Sequence, residues 1–158
     1  MIPRGAPVIL ATCALAWTAI LLLTPVALAH GYVTFPALVY QAGALICHQR
    51  PERSFHLLGI QLPVCARCIG LYASGAIGAV AACALVNGRR AMPDARVMLA
   101  AAAVPTAVTL LCEWTGLWYP SGAARAVAAI PLGLAGAWVL VASLAPAVQP
   151  AAQVRYHS

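Results

Sequence analysis

The sequence predicts an all-α, polytopic membrane protein with about four transmembrane helices and a short interfacial helix. Two observations carry that reading. Of the 158 residues, 63% are hydrophobic and 8% charged, against roughly 25% charged in a soluble domain. Such a chain cannot clothe a globular surface in polar groups, and its mean hydropathy of +0.90 suits lipid as the solvent. Four stretches also approach the ~20 apolar residues that a helix needs to cross the hydrocarbon core.

The first stretch, Val8 to Ala29, carries no charge. It follows Arg4 and ends Val26-Ala27-Leu28-Ala29, a pattern shared with signal peptides that end in a small-residue cleavage site. Its length exceeds a usual signal core and favours a retained helix. From Tyr32 to Cys47, Val33, Pro36, Ala37, Tyr40, Gly43 and Ala44 recur at helical steps, predicting a short interfacial helix that brings Cys47 to head-group level. The further spans are expected at 68–86, 97–117 and 126–144. Residues 1–145 form one domain in this reading, and 146–158 a disordered tail.

Pro25, Pro105 and Pro131 fall in or near spans, where neighbouring helices can satisfy the freed carbonyls; Pro105 is expected to kink the third. Gly70, Gly75 and Gly78 in the second span, and Gly133 and Gly136 in the fourth, mark the two helices expected to pack most closely.

The net charge is +6 and all nine basic residues are arginine. They sit in loops and at span ends with no basic soluble face, which argues against nucleic acid and for lipid head groups. With the N-terminus inside, Arg4, Arg89, Arg90, Arg96 and Arg155 lie on the cytoplasmic side and Arg50, Arg53, Arg67 and Arg125 on the other. The expectation is a multi-pass cell-membrane protein with both termini cytoplasmic and the loop 47–68 extracytoplasmic.

That loop holds most of the polar side chains. Cys65 and Cys68 have the spacing of half a tetrahedral zinc site. At a helix start, beside Arg67, their thiols are expected to ionise readily. Cys47 offers a third sulfur, and His48 or His56 a nitrogen, completing a Cys3His set for a zinc cofactor. Adjacent side chains diverge, so His56 is the better partner if Cys47 binds, and Cys47 is free if His48 binds. Haem attachment is disfavoured because Ile69, not His, follows Cys68. Cys13, Cys83 and Cys112 lie in apolar runs and read as packing residues.

Glu113, the one acid within a span, is expected about one turn below the loop's side of the membrane, level with Arg125. It serves either as an ion-pair partner of Arg125 or as a carboxylate acting at the Cys/His site, with Arg67 as a second catalytic candidate. Arg50, Arg53 and Arg125 are candidates for gripping the phosphate or carboxylate of a lipid or quinone-like molecule; plain contact with lipid head groups is the alternative and accounts for them slightly better. Trp114, Trp118, Tyr119 and Tyr32 read as an aromatic belt.

Cys47-His48-Gln49, Pro51-Glu52-Arg53-Ser54-Phe55 and Gln61-Leu62-Pro63-Val64-Cys65-Ala66-Arg67-Cys68, with Gly70 and Tyr72, resemble an uncharacterised family of small membrane proteins of bacteria and archaea, a domain of unknown function. Glu113, Gly116, Arg125 and Gly133 fit its pattern, although an Asp often stands there in place of Glu113. The resemblance covers about Tyr40 to Gly136 and implies a multi-helix membrane fold without an assigned activity. Three functions stay open: a zinc-site protein, a thiol–disulfide oxidoreductase using Cys65 and Cys68 and passing electrons to quinone, and a non-enzymatic structural or partner subunit. Transport would need an oligomer, which the sequence allows.

Overall fold

The structure, a computed structural model, describes residues 5–85 and 94–144. The expected tail 146–158, and Arg4, Arg89, Arg90 and Arg155 of the orientation argument, lie outside the described residues.

Four long helices are each long and apolar enough to cross a membrane: α1 (Ala6–Ala29), α3 (Ala66–Leu85), α4 (Ala95–Thr115) and α5 (Gly122–Leu144). Between α1 and α3 come the short α2 (Thr34–Ala44), a 3-10 turn at Pro51–Arg53, and a small antiparallel hairpin of β1 (His56–Leu57) and β2 (Ile60–Gln61).

Local chemistry shifts the helix ends from where hydropathy puts them. Asp94 caps α4, its carboxylate accepting the Arg96 backbone N–H at 2.9 Å, so α4 starts at Ala95 rather than Val97. Gly116, at φ 71°, takes the left-handed conformation that stops α4 at Thr115. Ser121 accepts the Ala124 N–H at 3.2 Å, and α5 begins at Gly122, four residues before the expected Ala126. Capping groups are polar, so a hydropathy window discards them.

Small residues bring α3 and α5 together. A Cβ on Gly70 would strike the backbone of Ala126, and one on Gly133 would strike Ser74 Oγ and Leu71 O. Gly136 instead faces open space. α1 crosses α3, where Thr18 Oγ1 donates to Tyr72 O at 3.2 Å and Trp17 meets the Tyr72 ring edge-on. α4 rests on α5, with Thr106 Oγ1 donating to Ala128 O at 2.9 Å. Its other face is apolar and exposed through Val97, Val104, Val108 and Leu111; lipid is the solvent that suits such a face.

Candidate functional site

The polar loop is held at one end of the bundle by a network of amides. α2 ends at Ala44, so Cys47 lies beyond the interfacial helix rather than on it, its N–H donating to Gly43 O at 2.9 Å. Gln49, at φ 48°, donates from Nε2 to Tyr40 O and Pro63 O, both at 2.7 Å. Gln61 Nε2 donates to Gln49 O at 2.6 Å, and Tyr40 Oη donates to Gln61 O. Burial pushes the Tyr40 hydroxyl up from its ordinary value, which keeps its proton in place as a donor. These bonds tie α2, the Cys47 segment, β2 and the residues leading into α3 into one unit. Beneath them Leu21, Val39, Leu62, Val64 and Ile69 form a buried apolar floor that includes Cys47.

The network sets Cys47 against the start of α3. The sulfurs of Cys47, Cys65 and Cys68 all lie within 4.8 Å of one another, the one such group of metal-ligating side chains among the described residues. Cys65 and Cys68 Sγ share a hydrogen bond at 3.5 Å, and the Cys65 backbone N–H donates to Cys47 Sγ at 3.2 Å. Hydrogen bonding with Cys68, helped by Cys47 and by the Cys68 and Arg67 backbone, overcomes burial and brings the Cys65 thiol down to about 5. Thiolates about 2.3 Å from a tetrahedral zinc lie roughly 3.8 Å apart, so this donor set fits a thiophilic cation with little rearrangement.

Neither candidate imidazole joins the sulfur group: His56 sits exposed on β1, and His48, also exposed, lines the same cavity as the three cysteines. The hairpin sets the place of His56. Leu58 and Gly59, at φ 55° and 76°, form the two-residue turn that pairs His56 with Gln61 and carries the imidazole away.

Glu113 is buried at 7% exposure and is held by two arginines. Arg125, 6% exposed, donates from Nε to Oε1 at 2.7 Å and approaches the same oxygen through Nη2 at 2.5 Å. Arg67 Nη2 donates to Oε2 at 3.1 Å and to Thr109 Oγ1 at 3.2 Å. This Arg–Glu–Arg cluster locks α3, α4 and α5 beside the sulfurs. Sequence reading paired Glu113 with Arg125; the second arginine comes from the thiol-bearing turn itself. Arg67 therefore spends its guanidinium on the carboxylate and on Thr109.

A cavity of about 450 Å³ opens between these groups. The three cysteines and His48 form part of its wall, and Arg50, Arg53, Arg67 and Arg125 line it as well, with Leu110 and Trp114 contributing apolar surface. The other sizeable opening, about 240 Å³ between α1, α3 and α5, is lined by apolar side chains around Trp17 and Tyr72. Cys112 stays outside the sulfur group, as does Cys13, which is exposed on α1.

Comparison with known proteins matches residues 47–139, more than half of the chain, to the family described as Predicted membrane protein (DUF2085). A 42-residue stretch is 45% identical to an uncharacterized protein of Methanocaldococcus jannaschii, covering 27% of this chain and 27% of that protein. A 27-residue stretch is 56% identical to an uncharacterized protein of Methanothermobacter thermautotrophicus, covering 17% of this chain and 24% of the relative. The chain thus spans about a quarter of the length of these curated relatives. No solved structure matches it.

Proposed function

The chain belongs to the DUF2085 family of predicted membrane proteins, and from that premise we propose that it is a membrane protein with a zinc centre held by Cys47, Cys65 and Cys68, its fourth position facing the cavity that His48 also lines. The observation that carries this reading is the convergence of three sulfurs, from two separate segments, within 4.8 Å. Packing alone gives no reason to gather three thiols beside arginines. The N–H of Cys65 aimed at Cys47 Sγ is the kind of outer hydrogen bond that steadies a thiolate ligand. A closed Cys3His set would fix the loop; an open fourth position would add a Lewis acid facing the cavity.

We place the centre on the extracytoplasmic side, with both termini in the cytoplasm. Four spans put the termini on one side. All four arginines that oppose this orientation, Arg50, Arg53, Arg67 and Arg125, line the cavity. They are committed to the site, which leaves the inner arginines to set topology. Reporter fusions at the C-terminus check this: a fusion active only outside the cell would reverse the orientation.

Elemental analysis of the detergent-purified full chain tests the centre. One zinc per chain is expected, lost in Cys65→Ser and Cys68→Ser and retained in His56→Ala. Metal-free protein with all thiols reduced would refute it. A second reading rests on the 3.5 Å between Cys65 and Cys68 Sγ: a dithiol that cycles to a disulfide. It predicts metal-free protein whose Cys65–Cys68 peptide is lighter by two hydrogens before reduction.

A further inference from the structure

We infer that the arginine-lined cavity beside the sulfur cluster is a binding site for a phosphate monoester, carried on an amphiphile whose apolar part lies along Leu110 and Trp114. The argument begins with charge. Arg50, Arg53, Arg67 and Arg125 all line the cavity. The carboxylates that oppose them are Glu113, buried between Arg67 and Arg125, and Glu52, which meets Arg50 at 3.8 Å across an exposed surface. Four guanidinium groups against two carboxylates leave two positive charges. A zinc tris-thiolate next to them carries one negative charge, so the cavity stays positive with metal bound as well as without.

The arginines are also unequally engaged, in a way that suits an incoming anion. Glu113 fixes Arg67 and Arg125 in place, so their orientation is set before any ligand arrives. Arg53 makes no ion pair among the described residues, and the exposed Arg50–Glu52 contact is loose. Two preset guanidinium groups at the back, with the loosely paired Arg50 and the unpaired Arg53 nearer the surface, can surround a tetrahedral dianion. A single carboxylate would satisfy one fork and leave the others unmatched.

The cavity volume, about 450 Å³, lies in the range of sites for whole small molecules and exceeds what a bare oxyanion fills. The rest of the wall says what else enters. Leu110 and Trp114 belong to α4, whose free face is apolar, and Trp114 is 81% exposed. An amphiphile could therefore keep its phosphate among the arginines and run its apolar portion along α4 without leaving the bilayer.

This inference rests on the arginines and not on the sulfurs, and its test keeps the two apart. The full chain in maltoside micelles, with zinc measured in the same sample, is titrated with short-chain phosphatidic acid, with phosphatidylcholine of the same chain length, and with inorganic phosphate. Bound ligand is counted by native mass spectrometry. Phosphatidic acid is expected to bind one per chain, at least ten-fold more tightly than phosphatidylcholine. Arg50→Gln/Arg53→Gln, which alters exposed Arg50 and half-buried Arg53 and leaves the buried Arg67–Glu113–Arg125 cluster intact, should weaken it at least ten-fold at unchanged zinc content. Inorganic phosphate binding as tightly as phosphatidic acid supports the phosphate site but removes the lipid as its source. Equal affinity for the two lipids without phosphate binding, or binding indifferent to the double variant, would overturn the inference.

Discussion

Glu113→Gln is the sharpest perturbation this structure offers. It preserves shape and removes one charge. In the native protein the carboxylate receives Arg125 through Nε at 2.7 Å and Nη2 at 2.5 Å, and Arg67 through Nη2 at 3.1 Å. The glutamine would leave two buried cations facing a neutral amide whose NH2 group cannot accept. Losing one member of a buried ion cluster costs about 3–5 kcal/mol. Counting by partner gives a similar figure, since each of two charge-assisted hydrogen bonds is worth about 1.5–3 kcal/mol. At about 2–4 °C per kcal/mol for a chain of this size, the midpoint should fall by roughly 6–20 °C. Thermal unfolding in micelles, followed by near-ultraviolet circular dichroism, reads this directly. Glu113→Asp keeps the charge but is a methylene shorter, and should recover more than half of the loss. The triple change Glu113→Gln/Arg67→Met/Arg125→Met should be milder than Glu113→Gln alone, because it leaves no buried charge unmatched. A loss below about 1 kcal/mol for Glu113→Gln, or a triple variant worse than the single, would refute the claim that the cluster is a buried clamp.

Gly133→Leu should destabilise by about 1–3 kcal/mol or more, because a side chain there must displace Ser74 and the α3 backbone, whereas Gly136→Leu enters open space and should be nearly neutral; equal midpoints for the two would contradict the α3–α5 contact. In metal-free protein with Cys47 and Cys68 intact, iodoacetamide labelling of Cys65, read at that residue by fragmentation mass spectrometry, should rise with a midpoint near pH 5, since hydrogen bonding with Cys68 and Cys47 brings Cys65 down to about 5 and it is a protonated, unreactive thiol only below that pH. A midpoint near that of a free thiol, about 8.5, would show that the hydrogen bonds around Cys65 do not hold in solution.

The sequence made the helices legible and the loop's architecture only partly so. Hydropathy finds spans because bilayer thickness imposes a length that composition alone can satisfy. It misses the capping groups Asp94 and Ser121 because each acts through one hydrogen bond. The approach of Cys47 to Cys65 and Cys68 was readable from residue type and spacing. The means was not: Tyr40, Gln49 and Gln61 do the positioning through main-chain carbonyls, and nothing in a side-chain pattern tells which carbonyl an amide will find. Gly59 is the sequence signal for the hairpin that carries His56, and Leu58, a residue that rarely adopts positive φ, masks it by sharing the turn.

The two clusters at this end of the bundle depend on each other through adjacent residues of one helical turn. Cys65 and Cys68 present sulfur to Cys47, while Arg67 between them turns to α4 and reaches Glu113. Helical geometry forces that divergence, since side chains one or two positions apart leave the axis in different directions. A carboxylate at 113 therefore does more than neutralise Arg125. It anchors the turn that carries two of the three thiols and fixes its distance from α4. The cavity lies between those two holds, so its width is set by ion pairing on one side and by the amide network on the other. α4 rests on α5, where Thr106 bonds Ala128, and Glu113 adds the tie to Arg67 on α3 that holds the α4 wall of the cavity against the thiol-bearing turn.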